Sequence, residues 1–134
     1  MRWLRLVLAL VAACLVAVGV SKLGFESLRA AWPDYAAAEP EKTYTLAMLF
    51  ARLGIAAILT AAAGGVATLV AGDRGLAAWC VGGLFLLVSL PVHLDTVWDD
   101  YPAWYHFVYL LSLVPIAGFS GRLLRRAWPL PEPA

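Results

Sequence analysis

Four apolar runs dictate what this chain can fold into: Leu6 to Ser21, Thr43 to Gly72, Leu76 to about His93, and Pro102 to about Gly121. A helix rises 1.5 Å per residue, so about 20 apolar residues cross the ~30 Å hydrocarbon core of a bilayer. Each run meets or approaches that length, and Ser21 to Thr43 is the longest polar segment between runs. Hydrophobic residues make up 63% of the chain and charged ones 14%, with a mean hydropathy of +0.80. Such a composition cannot clothe a globule in polar surface, so lipid must be part of its solvent. The expectation is a single all-α domain over residues 1-134, an integral membrane, four-transmembrane-helix up-down bundle. Its spans are placed at about 3-23, 44-71, 76-94 and 102-121, with extracytoplasmic loops 24-43 and 95-101 and a cytoplasmic tail 122-134.

The punctuation supports this layout. Arg2 and Arg5 precede the first run, and Val11-Ala12-Ala13-Cys14 has the look of a lipoprotein cleavage box. Apolar residues continue past Cys14, however, which favours an uncleaved signal anchor. Between Ser21 and Thr43, Phe25, Leu28 and Trp32 recur at helical spacing. They suit either a short helix on the membrane surface or an ordered connecting loop. Ala57, Ala61 and Gly65 form a small-residue stripe for close helix packing. Gly72-Asp73-Arg74-Gly75 is a tight turn that sends the third span back beside the second. Cys14 and Cys80 sit in apolar runs without a CxxC, which predicts free, packed thiols.

Charge sets the orientation. Arg2, Arg5, Arg74, Arg122, Arg125 and Arg126 fall at one end of the bundle, and Lys22, Arg29 and Lys42 at the other. The positive-inside rule then puts both termini in the cytoplasm of a multi-pass protein of the bacterial inner membrane. A net charge of +1 points to no nucleic-acid partner. The expected partner is the lipid bilayer, with a homodimer or larger membrane complex as a further option.

The loop between the last two spans, Pro91 to His106, holds both histidines and four large aromatics. In antiparallel hairpins, residues equidistant from the turn share a height. About the Asp73–Arg74 midpoint Arg52 mirrors Asp95, which predicts an ion pair. About the Asp99–Asp100 midpoint His93 mirrors His106. Arg52, His93, Asp95 and His106 thus fall in one layer, with Trp98, Tyr101, Trp104 and Tyr105 around them. Ionisable groups near a bilayer need partners, so the layer has three readings. It is a structural network; or a binding site for a small lipid-like or anionic molecule, with Arg52, His93, Asp95, His106, Trp98, Trp104 and Tyr105 as its candidates; or a redox site, with His93 and His106 as ligands of a b-type haem or as a quinone contact. No catalytic residues are expected, no metal apart from haem iron, and no cofactor under the first two readings. The function expected is that of a non-enzymatic small membrane protein acting through its extracytoplasmic face, as accessory subunit or as small-molecule or lipid binder.

Leu15-Val16-Ala17-Val18-Gly19-Val20-Ser21-Lys22-Leu23 resembles the Gly-x-x-Lys-Leu ending of the first span in DoxX-like proteins. These are small bacterial four-helix membrane proteins, some associated with quinone or thiol redox systems. The resemblance covers about a sixth of the chain and transfers no site residue. As a whole the chain also resembles the many small uncharacterised inner-membrane proteins of bacteria.

Overall fold

The computed structural model describes residues 2–73 and 75–128. Arg74 of the expected turn and the proline-rich end with Pro129, Pro131, Glu132 and Pro133 lie outside that set. The elements are α1 (Arg2–Ala31), α2 (Pro33–Ala38), α3 (Leu46–Ala71), α4 (Leu76–Pro91) and α5 (Ala103–Ala127), with a π-helical turn (Val92–Thr96) and a short 3-10 turn (Trp98–Asp100) between α4 and α5. No strand occurs among the described residues. Four helical stretches are long and apolar enough to cross a membrane: Trp3–Ala31, Leu46–Ala71, Leu76–Thr96 and Ala103–Ala127.

Two boundaries differ from expectation, for one reason. The first helix runs unbroken to Ala31 instead of ending near Leu23. Lys22, Glu26 and Arg29 interrupt hydrophobicity but are good helix formers, and the first proline is Pro33. Phe25 and Leu28 are therefore the last turns of α1. With Trp32 they pack on a small cluster of Tyr35, Ala38 and Met48. Likewise α5 passes Gly121 and carries Arg122, Arg125 and Arg126 to Ala127. Charge ends an apolar run without ending the helix that carries it.

Local chemistry fixes the other ends. Thr45 caps α3, its Oγ1 accepting from the Met48 amide at 3.4 Å. Gly72 closes α3 in the left-handed region at φ 67°. The Asp73 carboxylate accepts from the amides of Gly75 and Ala77, both at 2.8 Å, and so caps α4. Pro91 has no amide hydrogen for the Leu87 carbonyl, and downstream of it the helix widens into the π turn, with Val97 N–H bonded to the Val92 carbonyl at 3.0 Å.

α3 is the central element and packs against α1, α4 and α5, whereas α1 meets α4 only sparsely. One core of Ala9, Ala13, Ala17, Ala63, Ala67, Ala77 and Val81 joins α1, α3 and α4. The tightest approach of α3 to α5 falls at Gly64, one position off the expected stripe. A Cβ there would collide with the Ala117 backbone and come within 2.7 Å of Ser120 Oγ. Ala57 and Ala61 are only half-buried. Gly82 does the same for α4, since a Cβ would lie 2.8 Å from Val114 Cα. Side chains this small let backbones approach closely, which is how helices pack when no water is left to expel.

Candidate functional site

At the end of the bundle away from the Asp73 turn, aromatic rings form one continuous layer. It contains all five tyrosines and both histidines of the chain. Tyr35 stacks on Tyr44 and Tyr44 on Tyr101, each at 5.7 Å between centroids, and Tyr101 stacks on Tyr105 at 4.7 Å. Tyr101 also meets His106 edge-on at 5.9 Å, and His93 stacks on Tyr109 at 4.2 Å. α2, the stretch before α3, the turns between α4 and α5, and the start of α5 all supply members.

Arg52 lies inside this layer, its side chain 16% exposed. Nη1 donates to the Tyr35 hydroxyl at 2.5 Å and to the Tyr44 hydroxyl at 3.3 Å. The guanidinium carbon sits over the rings of Phe25, Tyr44 and Tyr101 at 4.8, 4.9 and 5.3 Å. Delocalised and weakly hydrated, guanidinium suits such a cage better than ammonium does. Burial raises the Tyr35 and Tyr101 hydroxyls above the ordinary tyrosine range and pushes Tyr44 up to about 12, so all three stay protonated. The nearest carboxylate, Glu39, lies 3.8 Å from Nη1. It is already taken by Arg29, which donates to both of its oxygens at 2.5 and 3.0 Å. Arg52 Nε is buried and has no partner among the described residues.

The expected Arg52–Asp95 ion pair is not formed. Asp95 is exposed and makes no ion pair among the described residues. Distance from a turn sets height along a hairpin but not the direction a side chain faces. Arg52 looks toward α1, α2 and Tyr101, while Asp95 turns outward from the π turn.

The histidine pair does form. His93 Nδ1 and His106 Nδ1 are 2.9 Å apart, with their rings edge to face. His106 is fully buried and His93 is 9% exposed. His106 Nε2 lies 3.1 Å from the Trp98 carbonyl and 3.3 Å from that of Tyr101. Carbonyls only accept, so Nε2 of His106 carries hydrogen and its Nδ1, in the neutral ring, is bare. His93 Nδ1–H is then the donor between the rings, which leaves His93 Nε2 with an open lone pair.

Among the remaining candidates, Trp98 stacks on His106 at 4.8 Å and Trp104 lies 5.7 Å from Phe50, both tryptophans keeping more than a third of their surface exposed. Tyr105 is buried between Tyr101 and the histidines. Sequence reasoning missed Phe25, Tyr35, Glu39, Tyr44 and Tyr109. The available signal was that Tyr44, Tyr101 and Tyr105 fall at the same end of the apolar runs they adjoin, with Tyr35 in the polar connection at that end.

This geometry does not fit a haem. Two axial ligands stand on opposite faces of the macrocycle, and rings in direct hydrogen bond leave no slot between them. Among the described residues no three His, Cys, Asp or Glu side chains converge as a metal site.

The Glu39 clasp makes a pH prediction. The hydrogen bonds from Arg29 hold the Glu39 carboxyl below the ordinary carboxylate range, against the opposing effect of burial. With the folded pKa below the unfolded one, the clasp's stabilisation is complete above the ordinary carboxylate range and is lost as pH falls through the lowered value. Protection against amide hydrogen exchange over residues 33–45, relative to the intrinsic rate, is expected to fall on acidification through that window, and to fall at neutral pH in Glu39→Gln. Exchange that follows only the intrinsic pH dependence in both proteins removes the clasp from the account.

No family model, no curated protein and no solved structure matches the chain. Fold and site together define an all-helical protein with four helices fit to cross a membrane and one aromatic layer near the end of the bundle.

Proposed function

We propose that the chain is a non-enzymatic protein of the bacterial inner membrane, with both termini cytoplasmic, that binds an anionic lipid-like molecule at its outer face. The observation that carries the reading is the state of Arg52. Its charge is enclosed by aromatic rings and tyrosine hydroxyls, its Nε lacks an acceptor among the described residues, and the carboxylate that approaches it, Glu39, is clasped by Arg29. An aromatic-walled cation beside a bilayer suits a carboxylate or phosphate head on an apolar tail. Glu39 is the internal competitor for such a head.

Oleate, with methyl oleate as its neutral partner, tests this on the protein in phosphatidylcholine nanodiscs. Oleate is expected to bind at least about tenfold more tightly than the ester, as one charge-assisted hydrogen bond allows. Arg52→Gln should abolish the difference and Glu39→Gln should widen it. Equal binding of acid and ester overturns the reading. Topology has its own test: a reporter active only in the cytoplasm, fused after Pro133, is expected to be active, and one within 36–38 silent. The reverse pattern would place the aromatic layer on the cytoplasmic side.

The accessory-subunit reading rests on a different feature. Where α1 and α4 part, an apolar groove of ≈ 310 Å³ opens, lined by Leu10, Val11, Cys14, Leu15, Val18 and Leu84. Such a seam suits a helix of a larger assembly.

A further inference from the structure

We infer that His93 Nε2 is a recognition site for a hydroxyl group carried by a lipid-soluble molecule. The argument is independent of Arg52. It follows from where the hydrogens of the imidazole pair must be. The carbonyls of Trp98 and Tyr101 fix hydrogen on His106 Nε2, the 2.9 Å contact then fixes hydrogen on His93 Nδ1, and His93 Nε2 is left as an acceptor.

No donor among the described residues reaches that nitrogen, and His93 keeps 9% of its surface exposed. A ligand from outside can therefore meet it. The surroundings select what kind of ligand. Val92 and Leu94, its neighbours in the chain, are exposed and apolar, and the ring of Tyr109 stacks on the imidazole at 4.2 Å between centroids. The complementary molecule is apolar, presents one O–H and has a flat or slender head. The helix-widening π turn that carries His93 is the kind of local distortion often found at functional positions. Partnering also strengthens the pair itself. A donor at Nε2 polarises the His93 ring and sharpens the Nδ1–H···Nδ1 bond behind it.

Two sources supply that chemistry, a glycerol hydroxyl of a lipid headgroup or a freely partitioning phenol or alcohol, and one experiment separates them. The full chain, labelled with ¹⁵N-histidine, is placed in phosphatidylcholine nanodiscs, whose lipid has no O–H. The His93 Nε2 resonance is expected in the range of a bare imidazole nitrogen, and His106 Nε2 in that of a protonated one. Addition of 4-nonylphenol should move the His93 Nε2 signal alone toward the hydrogen-bonded range. Its methyl ether should leave the signal in place and bind about tenfold more weakly. Phosphatidylglycerol in the disc producing the same shift identifies the headgroup as a source, and silence there leaves the phenol or alcohol. A protonated His93 Nε2 at the outset, or equal shifts from phenol and ether, or a shift from neither donor, overturns the inference. The measurement uses the unmodified protein, so no variant has to fold for it to be decisive.

Discussion

Arg52→Leu is expected to destabilise the protein by about 3 kcal/mol in detergent, measured by reversible unfolding. Two tyrosine hydroxyls lose a charged donor, at about 1.5 to 3 kcal/mol for each hydrogen bond to a charged group, partly offset by the added apolar side chain. The rings of Phe25, Tyr44 and Tyr101 lose a cation worth about 0.5 to 2 kcal/mol. The residue also ties α3 to α2 and to the loop before α5, so its loss should loosen three elements at once. Arg52→Lys is expected to recover less than half, because an ammonium cannot both stack on three rings and reach two hydroxyls. Double-mutant cycles separate this account from the ion pair expected on sequence grounds. Arg52 with Tyr35→Phe should couple strongly, and Arg52 with Asp95→Ala should be additive. Strong coupling to Asp95 would mean that the arginine faces the other way.

What could be read from the chain divides along physical lines. The four helices were legible because the need to span ~30 Å of hydrocarbon writes itself as apolar length, and the Gly72 and Asp73 turn because its residues have local reasons to be there. Helix ends at Ala31 and Ala127 were not, since apolar length marks where a run turns polar and α1 and α5 continue past that point. Mirror arithmetic brought His93 to His106 because the connection between them is short. The same arithmetic misplaced Arg52, whose partners Tyr35 and Tyr44 come from the polar stretch before α3. A residue's height follows from counting, but the side it faces follows from packing, and packing is a property of the whole bundle. That Tyr35 and Tyr44 enclose an arginine required α2 to pack back against Phe25.

His106→Leu is the second change with a large expected effect, and its comparison with His93→Leu is the sharper test of the pair. His106 has three polar contacts, His93 Nδ1 and the carbonyls of Trp98 and Tyr101, and it stacks on the Trp98 indole. It fastens the turn after α4 to the first turns of α5 from inside, by hydrogen bonds as well as by stacking. Leucine in its place leaves the His93 donor unpartnered where it is buried, and two carbonyls unpartnered where they are part-buried; a buried unsatisfied group costs about 1 to 3 kcal/mol and a part-buried one less. A total near 3 to 4 kcal/mol is expected, with the lost stacking included. His93→Leu removes one hydrogen bond and orphans one lone pair, so about 1 to 2 kcal/mol is expected. His106→Gln discriminates further, because its terminal amide can still donate to the Trp98 or Tyr101 carbonyl while it no longer offers an acceptor at Nδ1. It should fall between the two leucine variants. The order His106→Leu, His106→Gln, His93→Leu, from most to least destabilised, follows directly from which nitrogen holds which hydrogen. Equal losses at the two histidines, or a larger one at His93, would show that the hydrogens are arranged the other way round, with His93 as the anchored ring.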